Sequence, residues 1–279
     1  MIDATFPPSG TLAFIGGGNM GRSLIGGLIA RGIAPGRIVV ADPSDTARGK
    51  LIADFGIRAV ARASEAIHDA ALVLLAVKPQ VMRDVCQSLA VDFPERSVAV
   101  SIAAGITTIQ LDTWLGGGRA VVRAMPNTPA LLGAGATGLY ANARTTPEQR
   151  QLASAVLGAV GICEWLDKES LVDVVTALSG SGPAYFFLLA EAMQTAAVEL
   201  GLPASTARTL AAQTCLGAGR MLIEAGEDAT ALRQRVTSPG GTTQAALDCF
   251  SHHEFHAIVA RALDAATRRG AELSAQAGH

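Results

Sequence analysis

An apolar run over residues 11–16 (TLAFIG) leads without a break into Gly16-Gly17-Gly18-Asn19-Met20-Gly21, and a helical pattern continues from there to Gly32. Glycines spaced G-x-G-x-x-G between a buried strand and a helix admit few folds. Gly16 allows a tight turn, Gly18 lets a ligand approach the backbone, and Gly21 lets the helix lie close against the strand. The first N–H groups of such a helix are unpaired and aimed at the turn, an arrangement suited to the pyrophosphate of a dinucleotide. A second β-rich run ends at Asp42, at the spacing where an acid accepts from an adenosine ribose, which favours NAD over NADP. Two features weigh against that role for Asp42. Ser44 and Arg48 lie just downstream, suited to a 2'-phosphate, and Asp42 before Pro43 also fits plain turn initiation. The cofactor expectation is therefore NADPH or NADH.

The glycine turn is the first of a series. Strand-like runs over 11–16, 37–41, 71–77, 97–102 and 119–124 alternate with helical stretches, as a doubly wound parallel sheet requires. Weaker runs over 136–141 and 162–165 read as an extension of that sheet. After Leu166 the strand signals stop, and helices are predicted over 168–178, 182–200, 204–224, 229–236, 241–251 and 256–275. The predicted class is α/β, a Rossmann-type domain over 1–166 followed by an all-α domain over 167–279. In the third of these helices Leu210, Cys215, Leu216 and Leu222 lie among many alanines and glycines, a pattern that permits close helix pairing and hence a dimer.

Composition narrows the function classes. Hydrophobic residues make up 49% and charged residues 16% of the 279-residue chain, which argues for extensive burial and a covered surface. Lys and Arg number 22 against 24 Asp and Glu, with no basic block to follow a phosphate backbone, so nucleic acid is not an expected partner. The longest apolar run in the sequence, around Ala70 to Val77, is too short to cross a bilayer, and no membrane role is expected. Residues 1–10 carry an acid and two prolines without a positive n-region, so a cytoplasmic address is expected. Cys86, Cys163, Cys215 and Cys249 are dispersed, which fits buried reduced thiols better than a disulfide frame or a zinc site. His252, His253 and His256 have no metal-ligand spacing and read as a solvated turn, so no metal is expected.

Further stations fall where doubly wound folds place ligands, at the carboxyl ends of the strands. Ala76-Val77-Lys78-Pro79 puts a cation there, which either meets a ligand or is a solvated lysine ending a strand. Ala103-Ala104-Gly105 and Met125-Pro126-Asn127-Thr128-Pro129 reach the same edge, the latter with an amide held between prolines. In the helical half, Ser179-Gly180-Ser181-Gly182-Pro183-Ala184-Tyr185 and Ser238-Pro239-Gly240-Gly241-Thr242-Thr243 each open a helix. Free amides and hydroxyls at a helix start suit a carboxylate, and they equally describe an ordinary N-cap.

Taken in order, these stations resemble pyrroline-5-carboxylate reductase over essentially the whole chain, together with Ser101-Ile102-Ala103-Ala104-Gly105 and Arg123-Ala124-Met125-Pro126-Asn127. The resemblance implies reduction of 1-pyrroline-5-carboxylate to L-proline, usually with NADPH, by a Rossmann domain joined to a helical dimerisation domain, often within a larger ring of dimers. It implies that Gly16, Gly18, Asn19, Met20, Gly21, Asp42, Ala76, Val77, Lys78, Pro79, Ala103, Ala104 and Asn127 serve the cofactor. Lys78, Asn127, Gly241, Thr242 and Thr243 would serve the substrate, with Pro129 lining the same side and the Thr243 hydroxyl near the ring nitrogen. Asp42 departs from relatives that carry Ser, Thr or Asn near the 2'-phosphate. The chemistry suits such residues: a protonated cyclic imine is already an electrophile and needs orientation more than a base. Two rivals are a 3-hydroxyacid dehydrogenase of the 6-phosphogluconate dehydrogenase type and a nicotinamide-binding sensor without turnover. The first requires a basic lysine in the helix from Pro183 onward, which reads AYFFLLAEAM.

Overall fold

The structure, a computed structural model, describes residues 10–276. Residues 1–9 of the opening segment weighed above as a leader lie outside it. Its strands are β1 (Thr11–Ile15), β2 (Ile38–Ala41), β3 (Arg58–Val60), β4 (Ala70–Leu75), β5 (Val98–Ser101), β6 (Ala120–Met125), β7 (Gly135–Ala141) and β8 (Gly161–Trp165). They form one sheet in the order β3-β2-β1-β4-β5-β6-β7-β8. All pairings are parallel except β6 with β7, where Arg123 faces Tyr140 in antiparallel register. The seven runs read as strands all appear, and β3 is an addition. It is three residues long and half exposed, too short to show a pattern, although Gly56 in the left-handed region (φ 64°) marks the turn before it.

Alternate side chains of each strand feed the two sides of the sheet. Leu12 and Phe14 of β1 join Leu24, Ile25 and Leu28 of α1 (Asn19–Ala30) in one core. Ala13 and Ile15 join Met82, Cys86 and Leu89 of α4 (Pro79–Leu89) in the other. Both faces are covered, which is why the central strands read as continuous apolar runs. Burial pushes the Cys86 thiol up to about 12, so it is a protonated core group. Helices α2 (Asp45–Phe55), α3 (Ala63–Ile67), α5 (Thr108–Trp114) and α6 (Pro147–Leu157) complete the winding.

Two compact units divide the chain, Met1–Ser181 with Ala266–His279, and Gly182–Ala265. The division falls later than residue 166, and the reason is local. α7 (Leu171–Val175) packs on β6 and β7, and its Asp173 pairs with Arg123 in the sheet. The helix predicted over 168–178 is regular only through Val175. Over Thr176–Gly180 it widens into a π-turn, with the Ser181 N–H donating to the Thr176 carbonyl at 2.8 Å. A side chain at Gly180 would come within 2.8 Å of the Met125 Cε. The last turns of α12 (Phe255–Gln276) belong to the first unit: Gly270 packs on Asp173, and the Ser274 carbonyl accepts from Gln110 Nε2 at 3.3 Å.

The second unit holds α8 (Gly182–Glu199), α9 (Ala204–Glu224), α10 (Ala229–Arg235), α11 (Thr242–His252) and the start of α12. Its sequence-predicted helices match these within a residue or two at each end. Much of its apolar surface is open in the single chain, including Phe186, Phe187 and Leu188 on α8 and Leu210, Leu216 and Leu222 on α9. Cys215 and Cys249 are exposed here, so the buried-thiol expectation holds for Cys86 and fails for these two, which sit on helix faces without core behind them. The helical stretch Leu171–Glu199 is long and apolar enough to span a bilayer by composition, although the sequence runs gave no such candidate. The π-turn and the Ser179–Gly182 segment interrupt its regularity.

Candidate active site

The first unit builds its site at the switch point of the sheet, where β1 lies between β2 and β4 and the crossovers leave in opposite directions. Two glycines of the turn are required by close approaches within the protein itself, and a third is open. Gly16 has φ 104°, and a Cβ there would lie 2.7 Å from the Ala76 carbonyl oxygen. At Gly21 a Cβ would meet the Gly16 carbonyl oxygen at 2.9 Å, so the close crossing of α1 and β1 depends on its absence. Gly18 is the N-cap of α1 and is exposed. A Cβ at Gly18 would find nothing within 4 Å, and no side chain caps the helix. That open cradle at an uncapped helix N-terminus fits a pyrophosphate, so the residues present suit a dinucleotide. Asn19 and Met20 form the first turn of α1 beside it.

Asp42 closes the turn from the end of β2. Its Oδ2 accepts from the Gly17 N–H at 2.9 Å, and its Oδ1 accepts from the Ser44 N–H at 2.9 Å. Of the two roles the sequence left open for this acid, the turn role is directly visible. Arg48 donates to the Asp42 carbonyl at 2.7 Å and pairs with Asp45. A cleft of about 430 Å³ opens beside the turn, lined by Arg22, Ser44, Thr46 and Lys50 among others.

Along the same edge, the Ala76 N–H donates to the Ile15 carbonyl, continuing the ladder past β4. Val77 is half-buried, and Lys78 is the exposed N-cap of α4 with Pro79 at the first helical position. Ala103 is buried after β5 and Ala104 is partly open. Asn127 is buried, and its amide is engaged at both ends. Its Oδ1 accepts from the Ala136 N–H at 2.9 Å, and its Nδ2 donates to the Ser179 carbonyl at 3.0 Å. Asn127 thus ties the end of β6 to the π-turn, and Pro129 is the second residue of the short turn Thr128–Leu132 that follows.

Sequence reading assigned no role to Arg123, which lies in the middle of β6 and is buried. Its Nη2 donates to Asp173 Oδ1 at 2.7 Å, and Glu169 Oε1 lies 3.8 Å from Nη1. Glu169 in turn accepts from the Thr108 N–H at 2.6 Å and its hydroxyl at 2.9 Å, at the start of α5. A charge inside an apolar strand run was the available signal, since a buried cation needs a partner.

In the second unit, Gly240 takes φ 70° and Gly241 is the N-cap of α11, with its N–H donating to the Ser238 carbonyl at 3.0 Å. No side chain caps this helix. Thr242 and Thr243 are therefore first-turn residues, and neither hydroxyl has a partner among the described residues. The N-cap alternative for Thr243 is replaced by Gly241. The two units thus each present a helix start with free amides, one beside the sheet switch point and one with two hydroxyls. No group of three or more His, Cys, Asp or Glu side chains suited to a metal occurs among the described residues.

Comparison with known proteins gives the family. The family profile for pyrroline-5-carboxylate reductase dimerisation matches residues 169–273, and that for NADP oxidoreductase, coenzyme F420-dependent, matches residues 11–105. The pyrroline-5-carboxylate reductase of Pseudomonas aeruginosa is 51% identical over 267 residues, covering 96% of this chain and 98% of that relative. A solved pyrroline-5-carboxylate reductase from Coxiella burnetii superposes with a TM-score of 0.92 at 42% identity, over 95% of this chain and 98% of its own. The Plasmodium falciparum pyrroline carboxylate reductase, solved with NADP bound, gives a TM-score of 0.82 at 26% identity, over 95% and 98%. With matches of this identity and extent, the chain belongs to the pyrroline-5-carboxylate reductase family.

Proposed function

We propose that the protein reduces 1-pyrroline-5-carboxylate to L-proline with NADPH or NADH, the cofactor held at the glycine turn and the substrate at the start of α11. The first turn of α11 carries this reading. Its N-cap is a glycine, its leading amides have no side-chain cap, and two threonine hydroxyls stand free beside them. The amides of Gly241, Thr242 and Thr243 hold the substrate carboxylate, as an uncapped helix N-terminus does for an anion. The Thr243 hydroxyl accepts from the protonated ring nitrogen and so fixes the imine plane. A reduced nicotinamide, when bound, supplies the hydride that adds to the imine carbon. The ring nitrogen is already protonated, so the double bond takes up the hydride and proline leaves with the proton it arrived with. Thr243 needs only to orient, and no side-chain base enters.

Around the cofactor, Gly18 admits the pyrophosphate and Asp42 braces the turn. Lys78, Val77 and Ala104 line the strand ends, and Asn127 positions the segment between β6 and the π-turn. The dehydrogenase rival lacks its base, because α8 contains neither lysine nor histidine. The exposed apolar faces of α8 and α9, within the region matched by the dimerisation profile, support a homodimer.

The test is Thr243→Val, which keeps the shape and removes the hydroxyl. Loss of a hydrogen bond to a charged partner lowers kcat/KM by about ten- to a hundredfold. The unfolding midpoint and cofactor affinity are expected to stay put, since Thr243 caps nothing. Wild-type turnover in Thr243→Val would remove the assignment.

A further inference from the structure

We propose that Arg123 is a positioning residue for the reduction: paired with Asp173, it sets where the π-turn Thr176–Gly180 stands at the ligand edge of the sheet, and it touches neither substrate nor cofactor. The inference rests on the reductase reading above and adds to it a buried pair for which the sequence gave no role. β6 runs parallel to β5, so its carboxyl end lies on the same edge as the glycine turn. Residues 123, 125 and 127 alternate along it, and each holds one point of the segment from α7 through the π-turn. Arg123 Nη2 donates to Asp173 Oδ1 at 2.7 Å, and Asn127 Nδ2 donates to the Ser179 carbonyl at 3.0 Å. Between them, the Met125 Cε occupies the space that Gly180 leaves, 2.8 Å from where a Cβ would be. Gly138, the register partner of Met125 on β7, makes room for Val175, since a Cβ there would come within 2.7 Å of its Cγ1.

The sequence explains why the bond from Asn127 is needed. In a helix the Ser179 carbonyl would accept from the N–H four residues on, and that residue is Pro183, which has none. Asn127 supplies the missing donor. The Thr176 and Ser179 hydroxyls donate back to the Val172 and Val175 carbonyls, at 2.8 and 3.1 Å, so the π-turn acts through where its backbone stands. Widened turns of this kind recur at functional sites. Arg123 is an expensive way to hold it. The residue is 2% exposed, and its Nε has no hydrogen-bond partner among the described residues. An apolar pair of similar volume often gives equal or better stability, so an incompletely satisfied buried cation calls for another reason. Placement is that reason: a hydrogen-bonded ion pair fixes one distance and direction, whereas an apolar contact can slide.

Steady-state kinetics of the full-length protein with 1-pyrroline-5-carboxylate and each reduced dinucleotide, run beside denaturant unfolding, test this. Two variants keep the fold by different means. Arg123→Met with Asp173→Leu removes both charges of the pair, and Arg123→Lys keeps the charge but replaces a planar fork by a single-headed ammonium. Arg123→Lys carries the test alone if the double variant does not fold. In both, kcat is expected to fall by about ten- to a hundredfold, the scale of a misplacement of about 1 Å, with KM for imine and dinucleotide within about threefold of wild type. The primary isotope effect on kcat, with cofactor deuterated at the transferred position, should persist or rise, because hydride transfer is the step that slows. The proposal is overturned if a folded variant has wild-type kcat, if the loss falls in KM alone, or if the isotope effect vanishes. Any of these beside a wild type that reduces the imine defeats this inference alone. A wild type that oxidises neither dinucleotide with the imine defeats the reductase reading with it.

Discussion

Two glycines of the same turn are held for opposite reasons, and mutation separates them. Gly16 is fixed by its own protein: φ is 104°, and a Cβ would strike the Ala76 carbonyl oxygen at 2.7 Å. Gly16→Ala is expected to cost about 1–3 kcal/mol in unfolding free energy, the scale of a strained backbone conformation. On the proposed function, Gly18 is fixed by the pyrophosphate it admits. Nothing of the protein lies within 4 Å of where its Cβ would be, so Gly18→Val should fold, losing about 1 kcal/mol or less at the helix N-cap, and lose cofactor binding. Thermal unfolding and dinucleotide titration on both variants check the pair, and a Gly18→Val protein that binds NADPH normally would contradict the placement of the pyrophosphate.

At the scale of the element, Arg123 decides how β6, α5 and α7 fit together. The guanidinium reaches Asp173 directly and Glu169 at longer range, and Glu169 holds the first turn of α5 through Thr108. Arg123→Met removes one member of a buried ion pair and leaves carboxylates without compensation, a loss of about 3–5 kcal/mol. Arg123→Met with Asp173→Leu should recover part of it, because an apolar pair of similar volume avoids the stranded charge. Denaturant unfolding of the two variants decides, and equal stability of single and double variants would mean the pair is not coupled. The same region shows where sequence is a good guide and where it is not. The strand alternation and the glycine turn were legible because burial on both faces of the sheet and close backbone approach leave periodic signatures. β3 was not, since three half-exposed residues carry no period. The π-turn after Val175 was not, because one widened turn leaves the apolar pattern of a helix intact. Asn127 and Gly241 stood out in sequence as residues, but the double brace of the one and the capping position of the other depend on contacts with Ala136, Ser179 and Ser238.

For the molecule as a whole, the open apolar faces of α8 and α9 are where the proposed homodimer would bury surface. Leu188 is 66% exposed and Phe187 69% in the single chain, more than an isolated soluble helix pair tolerates over neighbouring positions. In sedimentation the wild type is expected as a dimer or a larger assembly, and Leu188→Asp should shift it toward the monomer with loss of imine reduction. A fully active wild-type monomer would sink that expectation. The path of α12 has a different consequence, one of timing. Gly105, Gln110 and Asp173 all rest against its last turns, at Leu273, Ser274 and Gly270, nearly a hundred or more positions further along the chain. During synthesis the ribosome releases the sheet and the glycine turn long before it makes those residues. The sheet, complete at Trp165, is therefore made about a hundred residues before the turns of α12 that rest against it, and that side of the first unit stays open until they are made.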